Sequence, residues 1–191
     1  MTNLEIAAMI VVYGSWPIGA IPFIRRLRDK KGEASTHEVV KKAPKAKIGI
    51  VVQAVAFFIA FVQIQPKNPR PPGLLVLAML LAPLSAWLAW RAIRHLGRQW
   101  QIQAALYSDH KLVRTGPYGF LRHPIYTSML GMMIATGLLV SIWQVVMVAG
   151  IVFMIGTETR IREEDRLLEL RFGDAFREYR NSVSAYIPFI H

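Results

Sequence analysis

Apolar residues in this chain come in long blocks, and charged residues gather in the gaps between them. Five blocks stand out, at residues 4–24, 48–64, 74–93, 124–140 and 142–157. They predict membrane-spanning helices, because a helix rising about 1.5 Å per residue needs roughly 20 apolar residues to cross a ~30 Å hydrocarbon core. The last two are short, about 24–26 Å each at that rise, and meet around Ser141. They predict a hairpin that barely crosses or re-enters. The first block is too long for a signal peptide and lacks a small-residue cleavage pattern. Pro17, Gly19 and Pro22 inside it predict a kink, whose freed carbonyls neighbouring helices can satisfy. Trp87 and Trp90 near the end of the third block suit a membrane interface.

The gaps have their own character. Residues 25–47 form a basic loop, residues 65–73 a tight Pro-rich connection, and residues 94–119 a polar segment that can begin as a helical extension. Over residues 158–180, Glu164, Leu168, Phe172 and Phe176 fall on one i, i+4 stripe. That stripe predicts an amphipathic helix on the membrane surface, bent or ended at Gly173. The expected fold class is all-α. It is an integral membrane helical bundle of about five transmembrane helices plus a C-terminal amphipathic helix. Residues 1–191 read as one domain, with three spans in 1–93 and the functional half in 94–191.

Charge orients this bundle. Of 23 Lys and Arg, nine lie in residues 25–47, six in 91–122 and six in 158–191. Alternate crossings put these three segments on one side. The positive-inside rule makes that side the cytoplasm and leaves the N-terminus outside. In a prokaryote the membrane would be the inner or plasma membrane. The net charge of +11 does not indicate nucleic acid, because the cations flank apolar spans and form no soluble basic face. The absence of cysteine excludes disulfides, thiolate chemistry and Cys-ligated metal.

The candidate chemistry sits in two places. The first is residues 110–126, a polar loop between apolar blocks with two histidines, two tyrosines and two arginines. Gly116-Pro117 reads as a turn, and Pro124 as the first residue of a helix, where its missing N–H costs nothing. That helix start would offer His123, Arg122 and free N–H groups to an anion. The second is Arg160 with Glu163 and Glu164, where Arg160 and Glu164 are spaced to pair on one helix face. A carboxylate on a buried line needs such a partner. His95, His110 and His123 lie on separate elements without metal-ligand spacing, so no metal is expected. Met129, Met132 and Met133 read as helix packing. No Gly-x-Ser-x-Gly and no Gly-x-Gly-x-x-Gly after a strand is present.

Taken in order, these segments resemble a known family. Gly116-Pro-Tyr118-Gly-Phe-Leu-Arg122-His123-Pro124-Ile-Tyr126, then Glu163-Glu164, then Phe172-Gly173 through Phe176 and Tyr179, then Ile187-Pro188-Phe189-Ile190 look like the isoprenylcysteine carboxyl methyltransferase family. That family is related to the membrane phospholipid N-methyltransferases. The resemblance covers roughly residues 95–190. It implies an integral membrane methyltransferase that uses S-adenosylmethionine and takes a lipophilic or lipid substrate from the bilayer. By position, the cofactor residues it implies are Gln103, His110, Leu112, Val113, Gly116, Tyr118, His123, Tyr126 and Glu163 or Glu164. Arg160, Arg122 and Glu164 are the expected catalytic residues, with either arginine orienting a substrate carboxylate. Two departures bear on the substrate pocket: Ser128 stands where the family usually has Gly, and Phe176 where it usually has Tyr. The offer of Arg beside the acids favours carboxyl O-methylation. The alternatives are an amine or phospholipid N-methyltransferase, a sterol-reductase-like membrane oxidoreductase, or a non-catalytic membrane subunit.

Overall fold

A computed structural model of the protein describes residues 2–33, 39–64, 70–100, 105–107 and 111–187. Six helices carry the fold: α1 (Asn3–Glu33), α2 (Ala46–Ala60), α3 (Pro72–Leu96), α4 (Pro124–Val140), α5 (Trp143–Phe172) and α6 (Asp174–Ser182). The protein is an integral membrane helical bundle. α1, α3 and α5 are long and apolar enough to cross a membrane, and α2 and α4 are shorter apolar helices.

The bundle is built from close pairs. α3 lies between α1 and α4, while α2 lies along α5. On α3, Ala78, Ala82, Ala86 and Ala89 form a buried small-residue stripe, which lets neighbouring backbones approach closely. Ala8 and Val12 of α1, Leu138 and Leu139 of α4 and Val146 of α5 close one apolar core around α3. A second core joins Ala56 and Ala60 of α2, Met133 of α4 and Phe153 of α5. Large apolar side chains such as Phe58, Leu80, Leu84 and Ile155 point outward, as a lipid-facing surface requires.

Three features differ from the sequence reading. First, α5 does not end near residue 157. It runs unbroken through the charged segment to Phe172, about 45 Å at 1.5 Å per residue. The amphipathic stretch expected as a separate surface helix is therefore mostly the far end of a spanning helix. Gly173, at φ +54, stops it, and only α6 remains separate. Second, the basic loop and the polar segment each supply a short strand. β1 (Val39–Lys42) pairs antiparallel with β2 (Ala105–Tyr107), and Val39 faces Tyr107. Third, the segment after α6 returns along the loop before α4, with Leu121 bridging to Ser184.

Candidate active site

The loop over residues 111–123 is pinned to the end of α3. Gly116 has φ +61, and a Cβ there would lie 3.0 Å from the His95 ring, so the position demands glycine. His95 Nε2 and Thr115 Oγ1 lie 2.7 Å apart, and the His95 ring stacks on Tyr118. Gln99 Oε1 accepts the Lys111 N–H at 2.8 Å. On the other side the Tyr179 hydroxyl of α6 donates to the Tyr118 carbonyl at 2.5 Å. Pro124 opens α4 as expected, which aims His123 and Tyr126 toward α5.

Two acids on α5 meet that helix start. Asp165 accepts from His123 Nε2 at 2.9 Å and from Arg122 Nη2 at 3.2 Å. Glu164 lies 3.4 Å from His123 Nδ1, accepts from Arg160 Nη2 at 3.4 Å, and takes the Tyr126 hydroxyl. Both His123 ring nitrogens thus face carboxylate oxygens, which only the doubly protonated ring can satisfy. Burial would lower the His123 pKa, but the hydrogen bonds it donates to Asp165 and Glu164, together with their charges, outweigh it and raise it to about 9. The wall sets Arg122, His123 and Arg160 against two carboxylates.

These groups border a cavity of about 510 Å³. That lies within the roughly 300–1,000 Å³ of small-molecule sites. Of the residues singled out in the sequence, Leu112, Val113, Tyr118, Arg122, His123, Tyr126, Arg160 and Glu164 all line it. Gly116 and Glu163 are not among its lining residues. Gly116 faces His95, and Glu163 sits one step around the helix from Glu164. Gln103 and His110 lie outside the described residues. Of the two departures, Ser128 turns its hydroxyl onto the Ile125 carbonyl at 2.6 Å. Phe176 is fully buried and lines the cavity.

The anion site expected at the start of α4 is largely taken. The Arg122 N–H donates to Ser184 O at 2.9 Å and the His123 N–H to Ala185 O at 2.8 Å. The returning C-terminal segment fills positions that the sequence left open. Arg122 is spent too, since Nη1 donates to the carbonyls of Arg180 at 2.9 Å and Val183 at 2.5 Å. It therefore braces the loop against the tail, and both Arg122 and Arg160 line the cavity.

Three lining residues were not among the site residues that the sequence suggested, although Tyr179 belongs to the motif series read in the sequence. Asp165 is held on the buried side of α5 by Arg122 and His123. Tyr179 reaches the cavity from α6. Gln53 lines it from α2, and its signal was visible as a lone polar side chain amid Val51, Val52, Ala54 and Val55. Tyr118 is buried, and its hydroxyl has no hydrogen-bond partner among the described residues. Burial first, then the neighbouring Tyr179 and Glu164, push its pKa up. Among the described residues no three metal-ligating side chains converge.

A family model for the isoprenylcysteine carboxyl methyltransferase (ICMT) family matches residues 75–170, half of the chain. The protein belongs to the isoprenylcysteine carboxyl methyltransferase family. The protein-S-isoprenylcysteine O-methyltransferase of Saccharomyces cerevisiae is 32% identical over 117 residues, 60% of this chain and 49% of that protein. Its namesake from Schizosaccharomyces pombe is 32% identical over 82 residues, 43% of this chain and 35% of that protein. The cobalt-zinc-cadmium resistance protein CzcN of Cupriavidus metallidurans is 32% identical over 121 residues, 61% of this chain and 50% of that protein. The chain spans half or less of the length of these relatives. The family segment runs from α3 through the loop and α4 to the end of α5, so it contains both acids and every cation of the wall.

Proposed function

We propose that the protein transfers a methyl group from S-adenosylmethionine to the carboxylate of a lipophilic acid, isoprenylcysteine-like acids foremost. The reaction would occur at the cytoplasmic face of the membrane. The observation that carries this reading is one cavity lined both by the loop and by the α5 acids, with Arg122, His123 and Arg160 among its lining and apolar side chains from several helices beside them.

Two features support the fit of the cofactor. The unpartnered Tyr118 hydroxyl belongs to a side chain that lines the cavity, so a polar ligand group can satisfy it. Glu164 offers an anion for an ammonium group, while Lys111 and His123 offer cations for a carboxylate. Leu112, Val113 and Gly116 belong to the loop that would cover it, and Tyr126 lines the same wall. Bound there, S-adenosylmethionine would supply an electrophilic methyl: a carboxylate oxygen would form the new O–C bond while the sulfur–methyl bond pair returned to sulfur. A carboxylate acceptor is ionised at neutral pH and needs no base, whereas an amine acceptor must lose a proton. Glu164 and Asp165 are both already paired with cations, which favours the acid. The protein's contribution is then positioning, worth up to about 7–11 kcal/mol of the barrier. Arg160 orients the acceptor's carboxylate by charge-assisted bonds, and the apolar helix faces hold its chain and keep water away.

The test uses the detergent-purified protein with methyl-labelled S-adenosylmethionine and N-acetyl-S-farnesylcysteine. The expected product is a base-labile methyl ester. Glu164→Gln should weaken adenosylhomocysteine binding about 10–100-fold by calorimetry, the scale of a lost hydrogen bond to a charged group. Unchanged affinity in that variant, or no ester from the wild type, would sink the reading.

A further inference from the structure

Gln53 is the polar exception on an apolar helix, and α2 lies outside the segment that the family model matches. It is 2% exposed and lines the cavity. A buried amide must find partners or cost about 1–3 kcal/mol. Its Nε2 donates to Thr157 Oγ1 of α5 at 2.8 Å, and its Oε1 accepts from Arg160 Nη1 at 3.4 Å. The orientation is set by chemistry. A guanidinium only donates, so the amide oxygen must face Arg160 and the amide nitrogen Thr157.

The backbone is shaped to bring these groups together. A Cβ on Gly49 would overlap Arg160 Cγ and lie 2.5 Å from Gly156 O. A Cβ on Gly156 would lie 2.9 Å from Gly49 O and from Gln53 N. Two glycines thus let α2 touch α5 at the level of Arg160. The guanidinium is then bounded by Gln53 on one side, Glu164 on another, and the Tyr126 ring 5.1 Å from its carbon. Along α2, Gln53 sits beside Ile50, Ala54 and Phe57, which belong to the apolar lining of the same cavity. A chain lying on that face brings its head group to Arg160.

We propose that Gln53 is a positioning residue that aims Arg160 at the acceptor's carboxylate, and so makes the site select acids over their neutral amides. This rests on the carboxyl methyltransferase reading above. Thr157 holds the amide, the amide holds the guanidinium, and the guanidinium presents its fork to the acid.

The experiment compares wild type, Gln53→Leu and Gln53→Asn as full-length proteins in detergent. It measures KM for N-acetyl-S-farnesylcysteine, KM for S-adenosylmethionine, and inhibition by the acceptor's primary amide. Leucine keeps the volume in an apolar helix. Asparagine keeps the amide but ends one methylene short, and it carries the test if the leucine variant does not fold. The expected result is a rise of about tenfold in acceptor KM, the scale of a lost hydrogen bond to a charged group. KM for S-adenosylmethionine should stay within about twofold, and the preference for acid over amide should collapse. A variant that keeps the acid preference, or raises both KM values together, overturns the role of Gln53 while leaving the function standing. A wild type that methylates no acid and does not prefer acid to amide overturns both.

Discussion

Asp165→Asn removes one charge and almost no volume from the carboxylate that joins His123 to Arg122. The carboxylate meets His123 at 2.9 Å and Arg122 at 3.2 Å, with side-chain exposures of 11%, 7% and 10% for the three groups. Water cannot replace a lost partner there, so breaking the buried pair costs about 3–5 kcal/mol. The proton gives an independent magnitude. A His123 pKa raised from 6.5 to about 9 corresponds to roughly 3 kcal/mol of preference for the folded imidazolium. Asp165 and Glu164 share that amount. Asparagine still accepts one hydrogen bond, so the expected loss is about 2–3 kcal/mol. At about 2–4 °C per kcal/mol for a chain of this size, the melting point should fall by about 4–12 °C.

The pH dependence discriminates further. The folded pKa lies above the unfolded one, so the His123 contribution is complete below about pH 6.5 and is lost as pH rises through about 9. Wild-type protein in detergent, melted with tryptophan fluorescence as the readout, should hold its melting point up to about pH 6.5 and lose it progressively toward pH 9. In Asp165→Asn only Glu164 still faces the ring as an anion, so the decline should still begin near pH 6.5 but be smaller and level off at a lower pH than in wild type. Parallel profiles, or a melting point within about 1 °C of wild type throughout, would refute the imidazolium between two carboxylates.

Gly156→Ala should lower the melting point by the equivalent of about 1–3 kcal/mol, because the new methyl meets backbone atoms of Gly49 and Gln53 that cannot turn away. Gly150→Ala on the same helix meets nothing within 4 Å and should be neutral or stabilising under the same assay. Tyr118→Phe should leave the melting point unchanged, since the hydroxyl has no protein partner among the described residues. It should weaken adenosylhomocysteine binding about 2–12-fold by calorimetry, a net hydrogen bond of about 0.5–1.5 kcal/mol.

The sequence reading succeeded where a local signal decides the structure. Apolar blocks predicted the helices, Pro124 marked the start of α4, and Gly173 ended α5 in the backbone conformation that glycine accepts at least cost. The i, i+4 stripe put Glu164 on the apolar line, yet Glu163 and Glu164 stayed alternatives in the sequence; one position turns a side chain about 100° around the helix, and only Glu164 lines the cavity. The failures are non-local or lie at a change of solvent. Polarity rises sharply after Thr157, but Glu, Arg and Leu are all good helix formers, so nothing stops the backbone there. Hydropathy changes there while the backbone conformation does not. The strands β1 and β2 pair across more than 60 residues of chain, and segments of four and three residues carry no periodic pattern. The N–H groups of Arg122 and His123 are claimed by carbonyls about as far away in sequence, at Ser184 and Ala185. No local pattern shows such a claim, so these two N–H groups read from the sequence as open when they are paired.

The cavity divides along the same line. Its polar wall, from Leu112 and Tyr118 through His123 to Glu164 and Asp165, lies inside residues 75–170, the segment the family model matches. Much of its apolar side does not: Phe23 and Leu27 come from α1, and Ile50, Gln53, Ala54 and Phe57 from α2. On the proposed function, the methyl donor and the acid group are handled by the family segment, and the acceptor's chain is read by helices outside it. Gly49 and Gly156 join the two, one on each side of that division, and fix how close α2 comes to Arg160. Changes of side-chain size on the inner face of α2 should therefore alter which acceptor chain is used while leaving cofactor affinity intact. Changes at the glycines should damage both, because they move the wall that both ligands share.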